Sequence, residues 1–350
     1  MEGNSLSVLR TRVLPLALLA GGLVLLAVTA GHVDLVHARQ ALGRVGLVGA
    51  AAFLVNIALT IGGPFVGWHL LMQSLGIPVS MRTTLVSGLL GRAINLFSPF
   101  NYFGGESVRT FHVAAATGAP RRKVLAAVVV SEVQVMAGLT VFVLVGLGIW
   151  AAAPSLAGSR LPWAAAGAGI LAIALVTVLG LALGDVKPCL RVLDALIRWG
   201  VFRRRLTALR EATLDLENLI RSLFLEHRAA FLASQLVSLS SPVAQFLRPT
   251  LFFWLLGRAD PSVRLPGFME LTVFFVLSQI VFMLPTSPGG VGVYEAGVVG
   301  LFGLLGWNPA EGAAYGILLR LDDVVFLAAT MGVVGTGGLG LVASPGGREP

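Results

Sequence analysis

Two short stretches set arginine and carboxylate beside glycine and proline inside otherwise apolar sequence. The first carries Asn95, Pro99, Gly104, Gly105, Glu106 and Arg109; the second carries Pro285, Ser287, Pro288, Gly289, Gly290, Gly292 and Glu295, with Arg320 downstream. Glycine lets backbone N–H groups approach a ligand closely, and a helix that starts there adds the positive end of its dipole. Arg109 and Arg320 bring planar forks that match phosphate or carboxylate. Together they suit recognition of an anionic or zwitterionic group, with Glu106, Glu132 and Glu295 as candidate proton carriers. A structural alternative stands beside this. Glu106 and Arg109 are spaced to pair on one helical turn, as are Arg320 and Asp323, and Glu295 sits where a carboxylate caps a helix start.

Other chemistries find no support. Walker A, dinucleotide, His-Glu-x-x-His and nucleophile-elbow patterns are missing from the sequence. His32, His37, His69, His112 and His227 are scattered and predict no metal site, and no cofactor is expected. At helix ends, such a histidine or a tryptophan reads as an interface anchor. The lone Cys189 excludes an internal disulfide. The formal net charge of +8 accompanies no nucleic-acid-binding module, so nucleic acid is not an expected partner.

The elements that must position these residues are membrane helices. Hydrophobic residues make up 56% of the chain and charged residues 12%, half the roughly 25% of soluble domains. Val13–Ala30, Leu47–Met72, Val124–Trp150, Pro162–Leu183, Ala229–Leu256 and Phe268–Thr286 are apolar blocks near the length that crosses a bilayer, and Gly312–Gly335 is another, interrupted by charge. Val13–Ala30 is long for a signal-peptide core and lacks an Ala-x-Ala site, so it reads as a permanent helix. The expected fold is an all-α integral membrane protein of about seven or eight transmembrane helices.

Ionisable groups at membrane depth are costly and mark function by default. They are Arg92, Glu106, Arg109, Glu132, Arg248, Glu270, Glu295, Arg320, Asp322 and Asp323. Glu132 is expected to be protonated or paired with an arginine such as Arg92. Arg248, beside a helix-breaking Pro249, reads as snorkelling outward, and Glu270 as interfacial.

Basic residues cluster at Arg10–Arg12, around Arg109–Lys123, and between Lys187 and Arg228. The positive-inside rule puts all three on the cytoplasmic side, with a cytoplasmic N-terminus. That holds only if Thr83–Gly105 re-enters rather than crosses. Leu284–Trp307 reads as a second re-entrant segment. Paired interrupted segments in corresponding halves point to a transporter binding site. The predicted organisation is an N-terminal membrane half over 1–183, a basic amphipathic linker over 184–228, a C-terminal half over 229–340 and a short tail over 341–350. The linker's stripe of Leu209, Leu216, Leu219, Ile220, Leu223 and Phe224 suits an interfacial helix on anionic lipid.

The two clusters resemble the membrane region of lysylphosphatidylglycerol synthases, which also occurs as stand-alone flippase-like proteins. Pro99, Gly105, Glu106 and Arg109 match the first motif; Pro285 through Glu295 match Pro-x-Ser-Pro-Gly-Gly-x-Gly-x-x-Glu; Arg320 and Leu321 match a later Arg-Leu pair. Where the family often has Glu-Arg, this chain has Glu132 followed by Val133. The resemblance covers most of the chain. It implies a multi-pass protein of the bacterial cytoplasmic (inner) membrane that moves a polar-headgroup lipid between leaflets. The alternative is a membrane subunit that presents lipid to an envelope-biosynthesis enzyme. Arg109, Arg320 and the loop amides would meet the headgroup. The soluble aminoacyl-transferase domain of the full synthases has no counterpart here, so lipid aminoacylation is not expected.

Overall fold

The computed structural model describes residues 35–97, 104–151, 173, 187–199, 203–261, 263–283 and 290–335, which are helical with short connections. Val13–Ala30, Pro162–Leu183, Ser287 and Gly289 therefore lie outside the described residues. Among the described residues, the stretches Arg39–Ser74, Arg121–Gly148 and Arg228–Ala259 are long and apolar enough to cross a membrane. Many large apolar side chains on them face outward, Leu47, Val48, Val55 and Leu236 among them. In water such a surface would aggregate; in lipid it is solvated.

Helix α1, Leu35–Ser74, is the longest among the described residues and bends at Gly46, whose backbone leaves helical values. Next come α2 (Met81–Phe97), α3 (Gly105–Thr117) and α4 (Arg121–Ala151). The linker folds as α5 (Pro188–Arg198) and α6 (Arg203–Leu225). Then follow α7 (Arg228–Ser238), α8 (Ser240–Ala259), α9 (Phe268–Met283), α10 (Val293–Leu304) and α11 (Pro309–Gly335). The helix break in the Ala229–Leu256 block falls at Leu239, not at Arg248-Pro249. Pro242 accounts for this: it has no N–H to donate and its ring crowds the carbonyl one turn back, whereas α8 runs on through Pro249. The α7–α8 turns pack on α1 at Gly63 and Gly67, where any side chain would meet Ser234, Ser238 or Ser240. This is the small-residue contact by which membrane helices approach closely.

Helices α2 and α3 form an antiparallel hairpin. Ser87 faces His112, Gly91 faces Arg109, and Asn95 faces Gly105. With 17 and 13 residues, they span about 25 and 20 Å, short of the roughly 30 Å hydrocarbon core. Helices α9 and α10 form a second hairpin, with Phe282 against Tyr294, Val281 against Gly297 and Phe274 against Phe302. Its arms, of 16 and 12 residues, are equally short. Each hairpin is followed by a long helix, α4 after the first and α11 after the second, that packs antiparallel on the second arm.

The hairpins open at opposite ends of α1. Lys123, at the start of α4, donates to the Leu75 carbonyl just past the end of α1. Arg122 pairs with Asp215 of α6 at the same end. The base of the other hairpin lies by the start of α1, where Arg44 pairs with Asp260 at 3.0 Å and Asn308 meets His37 at 3.3 Å. The Asn95–Gly105 end of the first hairpin and the Phe282–Tyr294 end of the second thus both face the middle of α1, beside Thr60, Ile61 and Phe65. The C-terminal turn of α6 does not lie free on a surface: Leu223 and Phe224 are buried with Trp68, Val124 and Val128.

Candidate functional site

Both hairpin tips are built alike. A glycine with positive φ starts the second arm: Gly104 at φ 125° and Gly292 at φ 83°. A side chain bearing Cβ is strained there. A glutamate one or two residues into the helix then turns back, so that Gly104 N donates to Glu106 Oε2 and Gly292 N donates to Glu295 Oε2, both at 2.8 Å. Gly105 N donates to Asn95 Oδ1 at 2.7 Å. These amides are therefore occupied by the protein's own side chains, which corrects the expectation that they stand open to a ligand. The carboxylates cap the short helices more cheaply than an incoming group, being already tethered. Gly290 lies against the Tyr294 ring, which also packs on Phe282 and lies 5.2 Å from the Arg320 guanidinium.

Each tip carries an arginine between two carboxylates. In the second, Arg320 Nε and Nη2 donate to the two oxygens of Glu295 at 2.6 and 3.1 Å, and Nη1 donates to Asp323 at 2.9 Å. In the first, Arg109 Nη2 donates to Glu132 of α4, and Glu106 is more distant at 3.6 Å. Glu132 thus pairs with Arg109, not with Arg92. Arg92 instead lies 4.8 Å from the Phe326 ring of α11. Glu106 is held mainly by Gly104 N and by Asn95 Nδ2 at 3.2 Å.

Sequence reasoning undervalued Arg248. It is buried and points inward, donating to Asn56 Oδ1 at 2.7 Å, Thr60 Oγ1 at 3.0 Å and Asp322 Oδ2 at 2.8 Å. Snorkelling is not available to it because α1 and α11 cover its path and supply all its acceptors. A signal for this network was present. Asn56 and Thr60 are one turn apart on an apolar span, where a polar pair seeks an interior partner. Glu270 does sit at a helix end, capping α9 through Gly267 N at 2.8 Å and meeting exposed Arg264. His69 and His112 are buried rather than anchored at an interface. They bond to Thr84 and Ser87 and so stitch the first hairpin to itself and to α1.

Between the tips lies a cavity of about 250 Å³. Asn95, Arg92 and Arg109 line it from the first hairpin, Glu132 from α4, Arg248 from α8, and Tyr294, Arg320, Asp322 and Asp323 from the second hairpin and α11. An apolar wall completes it, formed by Ile61 and Phe65 of α1 with Val135, Met136 and Leu139 of α4. The described residues contain no cluster of metal-ligating side chains. The polar floor beside an apolar wall can seat a charged group while leaving attached hydrocarbon in contact with side chains.

An all-helical membrane protein with two opposed hairpins around a charged cavity is the class that this fold and site define. The family model for the lysylphosphatidylglycerol synthase TM region matches residues 12–330, and the chain belongs to that family of lipid-handling membrane proteins. No curated protein and no solved structure matches the chain.

Proposed function

We propose that the protein is a flippase-like transporter that takes a polar lipid headgroup into the cavity between the hairpin tips and passes it between leaflets. The observation that carries this reading is the cavity itself: charged residues of the first hairpin, α4, α8 and α11 converge on one space that the second hairpin borders and that has an apolar wall on one side. Asn95, Arg109 and Arg320, which line the cavity, are the proposed headgroup surround, with Glu106 and Glu295 behind them as ion partners of the two arginines, and the acyl chains lie along the Ile61–Phe65 and Val135–Leu139 side. Of the candidate proton carriers Glu106, Glu132 and Glu295, Glu132 is the one that lines the cavity. Opposed hairpins make alternating access a matter of rocking one repeat against the other around a fixed site.

Reconstitution in vesicles containing fluorescent phospholipids tests the proposal. Accelerated leaflet exchange of at least one anionic or zwitterionic lipid is expected, slowed by Glu132→Gln. Exchange no faster than in protein-free vesicles, across a panel of both headgroup classes, rules it out.

A further inference from the structure

The two arginine sites are not equivalent. Arg320 and Arg248 each engage all three guanidinium nitrogens with side-chain acceptors. Arg109 engages Glu132 through Nη2, and its Nε is buried with no hydrogen-bond partner among the described residues. Its guanidinium lies 5.5 Å from the ring of fully buried Trp68, whose Nε1 is likewise buried without a partner. Arg109 is 7% exposed and lines the cavity. Its ionic partner Glu132, with 37% of its side chain exposed, has room to swing away.

A guanidinium that lines a cavity, leaves Nε without a partner and bonds closely to one part-exposed carboxylate, with a second at 3.6 Å, is suited to receive an oxyanion. A guanidinium bidentate to one carboxylate and bonded to a second is a strut. We infer that a phosphate oxyanion binds at Arg109 by displacing Glu132, while Arg320 remains paired with Glu295 and Asp323 and fixes the far wall. No covalent bond is made or broken: the Arg109–Glu132 ion pair opens, Glu132 swings into the cavity, and the phosphate takes its place on Nη2 and reaches Nε. This deepens the transport reading by assigning its anchoring residue, and it rests on that reading only for the idea that the phosphate belongs to a lipid.

Trp68 is a built-in reporter. The full-length protein, purified in detergent, is titrated with dihexanoylphosphatidylglycerol, with inorganic phosphate, and with dihexanoylglycerol, which has the same tails and no phosphate. Trp68→Phe removes the local signal and isolates it from the other tryptophans. A saturable Trp68 response to the phospholipid but not to dihexanoylglycerol is expected. A response to inorganic phosphate as well identifies the bare oxyanion as sufficient; its lack assigns the site to the headgroup. Either result supports binding at Arg109. Arg109→Lys keeps the charge but loses the fork, and is expected to weaken the midpoint by about tenfold without lowering Tm. Glu132→Gln removes the competing anion and is expected to tighten it. Arg320→Lys is expected to lower Tm and to shift the midpoint less than Arg109→Lys does. Silence toward both phosphate probes in folded protein overturns the inference. So does Glu132→Gln weakening the response, or Arg320→Lys weakening it more than Arg109→Lys. The two readings fail separately. Binding at Arg109 without leaflet exchange sinks transport alone, and exchange with an Arg109→Lys variant that titrates like wild type sinks the anchor alone.

Discussion

The first hairpin is held together by the absence of side chains and the second by their bulk. Where α2 crosses α3, a Cβ on Gly105 would fall on the Gly91 carbonyl, and one on Gly91 would come within 2.6 Å of Arg109 Cγ and 2.8 Å of the Gly105 carbonyl oxygen. The α9–α10 hairpin instead packs through rings: Phe274 and Phe302 at 5.5 Å, Phe253 and Phe302 at 5.6 Å, Phe274 and Trp307 at 5.4 Å. The same difference runs through the charges, with Arg109 on one close ionic bond and Arg320 on three. Interlocked aromatic side chains sit in deep packing minima and resist sliding. A glycine crossing has few side-chain atoms to unlock, so its helices shift against each other at lower cost.

The opposed openings give the largest contrast. Ala115→Cys and Arg210→Cys are expected to react with an impermeant maleimide from one side of the membrane, and Asn308→Cys from the other. All three are exposed positions. Labelling of positions 115 and 308 from the same side would dissolve the inverted arrangement.

Packing comes next. Gly105→Ala forces two backbones apart and is expected to cost about 4 kcal/mol or more, enough to deplete folded protein. Gly297→Ala in the second hairpin meets only the Val281 side chain, and about 1 kcal/mol is expected. Fluorescence-detected size exclusion after a heating series compares them, and equal losses would remove the distinction in packing.

The arginines follow. Arg320→Gln strands two carboxylates in a largely enclosed site, with an expected loss of about 3 kcal/mol. Arg109→Gln releases a carboxylate that already reaches solvent, and about 1 kcal/mol or less is expected. Chemical denaturation in detergent reads the difference; a larger loss at Arg109 would reverse the assignment of strut and receptor.

The smallest expected effect lies in the linker, outside both hairpins. Glu217 accepts from the Cys189 and Leu190 amides at 2.6 and 3.3 Å and so caps α5. Local desolvation, and then the Glu217 charge, push the Cys189 thiol up from its ordinary value. Less thiolate is present at neutral pH, so Cys189 should alkylate more slowly than a free thiol there, and the deficit should vanish above its raised pKa. Glu217→Gln is expected to speed alkylation at pH 7.5 by about two- to fivefold, since one unit of pKa is tenfold in thiolate. An unchanged rate would show that desolvation acts alone.

Much of the site was legible because charge in an apolar sequence has few explanations. Glu106 with Arg109, Arg320 with Asp323, and Glu295 as both helix cap and Arg320 partner follow from spacing and from the need to neutralise arginine. Gly and Pro marked where the helices are interrupted, but not the extent of the hairpins: they pair Met81–Phe97 with Gly105–Thr117 and Phe268–Met283 with Val293–Leu304, beyond the Thr83–Gly105 and Leu284–Trp307 segments read from sequence. What stayed hidden is direction. Helices α4 and α9 are apolar along most of their length, with little contrast between faces, so hydropathy does not say which side meets lipid and which meets protein, because both are apolar surroundings. Arg248 on α8 likewise read as outward, and the arginine partner expected for Glu132 exists but is Arg109 and not Arg92.

The chain's composition and spacing alone determined that it is a helical membrane protein with two broken segments and a small set of charges that must be neutralised within them. Only the tertiary structure decided that the hairpins open at opposite ends, that Arg109, Glu132, Arg248 and Arg320 share one cavity, and that among the described residues Arg109 Nε lacks a partner while each guanidinium nitrogen of Arg320 has one. The reason is geometric. Local spacing fixes which groups lie on one turn, but which acceptors an arginine from one helix meets on another depends on helix rotation, and an all-round apolar surface leaves that rotation to the packing of the whole.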